Sequence, residues 1–114
     1  MNEKIVEDAM NIIILAGDAR VSCTSALNEI ADGNIEKAKE LLKEAKKKIA
    51  DAHRIQTDDI QKAIGDGDLA YNPLFSHAQD TLMTIYSEIN IAKQLIHIFE
   101  KYEDRISALE NETR

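Results

Sequence analysis

Apolar residues recur at spacings of three and four along nearly the whole chain, and only two short segments interrupt the pattern. That spacing places the apolar side chains on one face of an α-helix. Only four glycines and one proline occur among the 114 residues, so few positions favour a break in a helix. The sequence shows neither strand-like alternation nor a fixed-period repeat. We therefore predict one all-α domain over residues 1–114, an antiparallel three-helix bundle in up-down-up order.

The two interruptions divide the chain into predicted helices over residues 3–31, 35–64 and 73–109. Gly33 is predicted to end the first helix in a left-handed conformation, and Asn34 to cap the second. Asn72 and Pro73 suit the cap and the first position of the third helix. The tail after this helix is predicted to fray. The segment Gly65–Tyr71 is predicted to be an acidic flexible loop rather than a calcium site, because most calcium ligands are missing.

Each predicted helix has an inner row of alanine and aliphatic residues. The rows are Ile5, Ala9, Ile12, Ile13, Ala16, Ala19, Cys23, Ala26, Leu27 and Ile30 in the first helix; Ala38, Leu41, Leu42, Ala45, Ile49, Ala52, Ile60 and Ala63 in the second; and Leu74, Ala78, Leu82, Ile85, Ile89, Ala92, Ile96, Phe99 and Ile106 in the third. The single cysteine excludes an intrachain disulfide and is predicted to be a small buried apolar residue, which fits a reducing cytoplasm.

The net charge, the apolar run and the N-terminus of the chain indicate which partners and which location to expect. A net charge of −7 argues against a nucleic-acid-binding protein, which needs a basic face to neutralise phosphates. The lysines at positions 46–48 follow glutamates at helical spacing and are read as a solvated helix face. The apolar run at residues 12–15 is far shorter than a membrane span, and the N-terminus lacks signal-peptide features. We expect a cytoplasmic protein without membrane insertion.

A polar cluster interrupts the apolar pattern near the start of the third helix. His77 is followed by Asp80 at i+3 and Thr81 at i+4, so all three share one region of the helix surface. An imidazole nitrogen can accept a phosphoryl group and release it again. The Thr81 hydroxyl and the helix N-terminus would then supply donors to the phosphoryl oxygens. From these residues alone, a structural or solvent-exposed histidine is the favoured interpretation.

The other histidines do not form a recognisable metal motif. His53, His77 and His97 show neither HxxxH nor HxxH spacing, and Cys23 supplies no supporting cluster. Glycine-rich phosphate loops and a nucleophile elbow are also absent from the sequence. A metal-dependent hydrolase built on a helical bundle is the weakest of the functional hypotheses, because each chain offers too few ligands.

Three segments together resemble the lactose/cellobiose family of enzyme IIA, from the bacterial phosphoenolpyruvate-dependent sugar phosphotransferase system. They are Ile14-Leu15-Ala16-Gly17-Asp18-Ala19-Arg20 with Ala26-Leu27, then Ala52-His53-Arg54-Ile55-Gln56-Thr57, and finally His77-Ala78-Gln79-Asp80 with Leu82-Met83-Thr84. The resemblance covers nearly the whole chain. It implies a three-helix subunit assembled into a homotrimer of nine helices.

The resemblance also implies a function and partners. His77 would be phosphorylated on Nε2 by the phosphocarrier HPr and would pass the group to a cysteine of the cognate enzyme IIB. The membrane component, enzyme IIC, would then deliver the sugar, a β-linked disaccharide such as cellobiose, lactose or diacetylchitobiose. The alternative is a divergent trimeric helical module that regulates or scaffolds without transferring phosphate.

Two positions bear on the metal and on a departure from the family pattern. The resemblance implies that Asp80 lies on the trimer axis, where three copies bind one magnesium ion. Such a cation would relieve the repulsion between converging carboxylates. At Thr81 the family pattern usually has a second histidine, so this chain offers a hydroxyl donor where relatives have a titratable ring. His53 and Gln56 are assigned a polar packing role.

Overall fold

A computed structural model describes residues 3–66 and 72–113, and these form three long helices. They are α1 (Glu3–Ala31), α2 (Ile35–Gly65) and α3 (Pro73–Glu112). The predicted all-α, up-down-up bundle is confirmed, and the helix boundaries agree within three residues. α3 continues three residues beyond its predicted end, to Glu112, and the Thr113 backbone N–H donates to the Leu109 carbonyl. The predicted fraying of the tail stays a prediction. Most of the predicted acidic loop, residues 67–71, lies outside the described residues.

A tight turn connects α1 to α2. Gly33 has a φ of 84°, which is the left-handed conformation predicted for it. The backbone N–H groups of Gly33 and Asn34 donate to the carbonyls of Ile30 and Glu29, which satisfies the end of α1. Asn34 occupies the cap position, but its side chain makes no capping bond to α2. Its Nδ2 instead donates to the Glu29 carboxylate over 2.7 Å, so the predicted side-chain cap is wrong.

The core between the helices consists of small and aliphatic side chains. Its buried members are Ala9, Ile12, Ala16, Ala19, Cys23, Ala26 and Ile30 from α1; Ala38, Leu42, Ala45, Ile49 and Ala52 from α2; and Ala78, Leu82, Ile85, Ile89, Ala92 and Ile96 from α3. The many alanines allow the helix backbones to approach closely. Cys23 is buried as predicted, and burial is the main reason why the pKa of its thiol is raised.

Three residues of the predicted core are exposed instead. Leu27 lies at the edge of the α1 face, whereas Phe99 and Ile106 lie near the far end of α3. The last buried residue of α3 is Ile96, and the molecule is 69 Å long but only 19 by 17 Å across. Because α3 has 40 residues and α1 only 29, α3 runs past the ends of its partners and leaves its apolar residues uncovered.

Polar side chains connect the helices on the surface. The Arg20 guanidinium of α1 makes two hydrogen bonds to the Glu88 carboxylate of α3, at 2.6 and 3.1 Å. Lys39 of α2 forms an ion pair with Glu100 of α3. Exposed pairs of this kind contribute little to stability, because water and salt screen their charges. Within the described residues, no helix is long and apolar enough to cross a membrane.

Candidate functional site

His77 lies in the first turns of α3, which begins at Pro73, and its side chain is exposed. The start of the helix is fixed by Asn72, whose side-chain oxygen accepts a hydrogen bond from the Phe75 backbone N–H at 3.1 Å. Pro73 occupies the first helical position, as predicted. The local sequence therefore holds the imidazole near a helix N-terminus, where the helix dipole favours an anion such as a phosphoryl group.

Asp80 and Thr81 lie one turn further along the same helix. The Asp80 carboxylate is exposed, and Thr81 is partly buried. The Thr81 hydroxyl donates to the His77 backbone carbonyl at 2.9 Å, and Thr84 makes the same bond to the Asp80 carbonyl at 2.8 Å. The hydroxyl hydrogen of Thr81 is thus committed to the backbone in this state, so a contact with a phosphoryl group would require it to rotate.

The other two segments of the resemblance occupy different parts of the bundle. Arg20 is engaged with Glu88, where it joins α1 to α3. His53 is exposed on α2, and its Nδ1 lies 3.4 Å from the Thr57 hydroxyl. Gln56 is partly buried, and its side-chain oxygen has no hydrogen-bond partner within the described residues. The polar packing role predicted for His53 and Gln56 stays a prediction.

An open groove of about 690 Å³ separates α2 from α3. It is lined by Lys46, Ile49, Ala50, His53, Leu82, Met83, Tyr86, Ile89, Asn90 and Lys93. His77 is not among the lining residues, because at 100° per residue its side chain points to a different side of α3 from Met83, Tyr86 and Asn90. The imidazole lies outside this groove and is exposed, so a docking protein can reach it.

The sequence did not lead us to predict a pair of buried carboxylates, Asp8 and Asp59. Asp8 of α1 and Asp59 of α2 are 9% and 8% exposed, and Lys4 binds Asp8 at 2.8 Å. Burial, followed by the hydrogen bond and the charge of Asp8, raises the pKa of Asp59 to about 6. Burial would also raise the pKa of Asp8, but its hydrogen bonds with Lys4 and Asp59 outweigh that effect and lower it. Asp59 is therefore the carboxyl of the pair that keeps its proton to the higher pH, and its Oδ2 has no hydrogen-bond partner within the described residues.

The helical spacing of the sequence contained the signal for this pair. Asp59 lies seven residues after the buried Ala52, and Asp8 lies four residues before the buried Ile12. Both intervals keep a side chain on the same face of a helix. Their burial was not predicted because both residues are charged, and aspartate is almost never fully buried unless it is paired.

Comparison with known proteins adds independent information to this geometry. Residues 7–100 match the family described as "PTS system, Lactose/Cellobiose specific IIA subunit". A lactose-specific EIIA component from Staphylococcus epidermidis is 38% identical over 90 residues, which are 79% of this chain and 86% of that protein. A lichenan-specific enzyme IIA component from Bacillus subtilis is 31% identical over 108 residues, or 95% and 98% of the two chains.

Solved structures show the same arrangement of helices. The cellobiose-specific enzyme IIA from Bacillus anthracis has a TM-score of 0.82 at 29% identity, with 91% of this chain and 95% of that chain covered. The IIA(Chitobiose) protein of Escherichia coli, solved in complex with HPr, has a TM-score of 0.79 at 29% identity, with 90% and 99% covered.

The fold, the exposed histidine and these similarities define the class as a helical phosphocarrier component of a sugar phosphotransferase system. Within that class, the chain belongs to the lactose/cellobiose-specific enzyme IIA family. The family match covers most of the chain but ends at residue 100, before the last turns of α3.

Proposed function

We propose that His77 is the phosphorylated residue of this enzyme IIA, and that it receives the group from HPr and passes it to a cysteine of enzyme IIB. The observation that carries the proposal is the exposed imidazole at the capped start of α3. The similar Escherichia coli IIA(Chitobiose) protein, which forms a complex with HPr, supports HPr as the donor.

The chemistry required of His77 is two transfers of one phosphoryl group. In the first, the bond between phosphorus and HPr breaks as a P–N bond forms to Nε2 of the neutral imidazole. In the second, that P–N bond breaks as a P–S bond forms to the enzyme IIB thiolate. The protein must hold the ring exposed and orient it, and the N-terminal turn of α3 favours the added negative charge. Two docking proteins must use the site in turn, so weak interfaces are expected.

The direct test is incubation with phosphoenolpyruvate, enzyme I and HPr, followed by mass measurement of the intact chain. We expect one phosphoryl group on the wild type and none on His77→Ala. His53→Ala and His97→Ala, which remove the other two histidines, should retain it. Label retained by His77→Ala would contradict the assignment. A phosphorylated chain that transfers nothing to the cognate enzyme IIB would instead favour a non-transferring module.

We further propose that the subunit assembles into a homotrimer. The support is the amount of apolar surface that a single chain leaves exposed. On α1, Met10, Ile14 and Val21 form a stripe with 47%, 56% and 66% exposure, and on α3 Ile91 and Ile98 are 58% and 45% exposed. Contiguous exposed apolar side chains at helical spacing mark protein interfaces.

Asp80 is proposed to hold one magnesium ion together with its counterparts in the other two subunits. Within residues 3–66 and 72–113, no group of three or more histidine, cysteine or acidic side chains could bind a metal, so a single chain does not form the site. The exposed Asp80 carboxylate faces away from the core and supplies the oxygen ligands that magnesium prefers. A cation bound there would neutralise converging charges and join the subunits.

The metal proposal is tested by light scattering with and without a chelator. The wild-type assembly should weaken when the metal is removed, because the three carboxylates then repel one another. Asp80→Leu should keep the subunit fold and lose this dependence on metal. An assembly that is equally insensitive to chelator in both proteins would contradict the axial site.

The transported sugar is proposed to be a β-linked disaccharide, and the location to be cytoplasmic. Similar proteins are described as specific for lactose, cellobiose and chitobiose, which are β-linked disaccharides, and for lichenan, a β-linked glucan. The β-linkage is therefore shared while the individual sugar differs. Growth of a deletion strain on each candidate sugar would identify the substrate. Normal growth on every β-linked disaccharide would contradict the proposed class.

A further inference from the structure

The seam between α1 and α2 closes with two carboxyl groups at one end of the bundle. Asp8 is the first buried residue of α1, and Asp59 is the last buried residue of α2. Because the helices run up, down and up, the start of α1 and the end of α2 lie at the same end as the start of α3, which carries His77. The outermost buried pair of the seam at this end is therefore polar.

Helical geometry places the two carboxyl groups on the side of the seam that faces away from α3. Asp8 lies about 120° around α1 from Arg20, whose guanidinium binds α3. Asp59 lies about 160° around α2 from Lys39, which also pairs with α3. The pair therefore belongs to the contact between α1 and α2, and the cap and first turns of α3 do not depend on it.

The charged groups that act on the pair lie on α1 and α2. The Nζ of Lys4 is 2.8 Å from the Oδ2 of Asp8, and Lys62 also favours the ionised form of Asp8. Asp59 lacks such support, because Asp58 repels its charge and its buried Oδ2 has no hydrogen-bond partner within residues 3–66 and 72–113. The environment thus accommodates one negative charge on Asp8 but disfavours a second on Asp59.

The turns beyond the pair have little apolar contact to hold them closed. Ile5 and Val6 before Asp8 are only partly buried, as is Ile60 after Asp59. Loss of the Asp59 proton would place two negative charges in the outermost buried layer, where low polarity strengthens their repulsion. The helix ends next to this layer are the part of the seam that can separate at the lowest cost.

The opposite end of the same seam provides a contrast. There the last buried residue of α1 is Ile30 and the first buried residue of α2 is Ala38, so the outermost buried layer is apolar. The tight turn at Gly33 also joins the two helices at that end. Only the end closed by the carboxyl pair can therefore respond to a proton.

We propose that Asp8 and Asp59 form a proton-dependent fastener, which holds the start of α1 against the end of α2 while Asp59 is protonated and lets these turns separate when the proton is lost. The separation is local, because the aliphatic core that begins at Ala9 and Ile12 stays packed. The start of α3 keeps its cap in both states, since the fastener faces away from it.

Native-state hydrogen exchange of the full chain, at low urea concentrations and corrected for the intrinsic effect of pH, tests the fastener. Amides of residues 7–10 and 62–65 report on the end closed by the pair, and those of residues 28–31 and 39–42 report on the turn end. Asp59 has a pKa of about 6 in the closed state and near 3.8 when exposed. Protection of the first set should therefore fall about tenfold between pH 5 and 7.5. The turn end should change by less than about threefold.

A matched pair of variants assigns the effect to the carboxyl pair. Asp59→Asn cannot lose a proton, so protection at its fastener end should not depend on pH, whereas Asp58→Asn changes an exposed neighbour and should behave as the wild type. An equal fall in Asp59→Asn and the wild type would overturn the fastener. So would fastener-end amides whose protection falls with urea as steeply as that of residues 19–22 and 45–48, because the pair would then titrate only in global unfolding.

Discussion

At the scale of single residues, Thr81 stands where the resemblance implies a second histidine. Its hydroxyl hydrogen is donated to the His77 carbonyl, so the side chain is a backbone partner in this state. We expect Thr81→Val to slow phosphoryl transfer from HPr by less than about tenfold. Removal of a dedicated transition-state donor costs about 10²–10³ in rate. Rapid-mixing measurement of phosphorylation distinguishes the two cases, with Thr81→Ser as the control that keeps the hydroxyl.

The buried pair of carboxylates makes a second prediction at this scale, which concerns the dependence of stability on pH. The pKa of Asp59 is raised from 3.8 to about 6, so between about pH 4 and 6 the unfolded chain releases a proton that the folded chain keeps. The free energy of unfolding should therefore fall as the pH rises through this window. Asp59→Asn should remove the decline and stabilise the protein at pH 7.5 by about 1–3 kcal/mol.

Urea unfolding at fixed protein concentration, measured at several pH values between 4 and 7.5, checks this expectation. Asp58→Asn is the matched control, because its carboxylate is exposed on the neighbouring residue. An Asp59→Asn variant that is less stable than the wild type at pH 7.5 would contradict it.

The sequence could have placed Asp8 and Asp59 on the core face from their spacing. The raised pKa of Asp59 depends on the meeting of α1 and α2, which no pattern within one helix specifies.

At the scale of the helices, the caps give a prediction with an internal control. Asn72 caps α3 with a side-chain hydrogen bond, whereas Asn34 occupies the cap position of α2 without one. Asn72→Ala should cost about 1 kcal/mol of stability and increase hydrogen exchange in the first turn of α3, beside His77. Asn34→Ala should cost less, because it loses only an exposed bond to Glu29. Equal losses in the two variants would refute this difference between the caps.

The same helices show what periodicity predicts and where it fails. The start of α1, the left-handed Gly33 and the Asn72-Pro73 start of α3 all follow from local chemistry, and all were predicted. Phe99 and Ile106 were assigned to the core because they continue the apolar rhythm of α3. A pattern within one helix gives the direction of a side chain but not the place where its partner helices end. The length difference between α3 and α1 leaves these residues exposed.

At the scale of the whole molecule, a single chain buries a narrow core and leaves many of its aliphatic side chains exposed. The exposed stripes on α1 and α3 lie on a bundle only 19 by 17 Å across, so a large part of its surface is close to the core. The family resemblance predicted self-association, and the apolar residues that one slender bundle leaves exposed favour it. Which surfaces meet depends on how the copies are placed, and a single-chain sequence contains no direct record of that.

Assembly makes thermal stability depend on protein concentration. If only the assembled state is well packed, the unfolding midpoint of the wild type should rise as the concentration rises, by mass action. Ile91→Glu places a charge on the exposed α3 face and should lower the midpoint and remove most of its concentration dependence. Lys43→Glu introduces a glutamate at an exposed position of α2 and should preserve the concentration dependence of the midpoint. Calorimetry over a hundredfold range of concentration measures both effects, and a wild-type midpoint that is constant over this range would refute the dependence of stability on assembly.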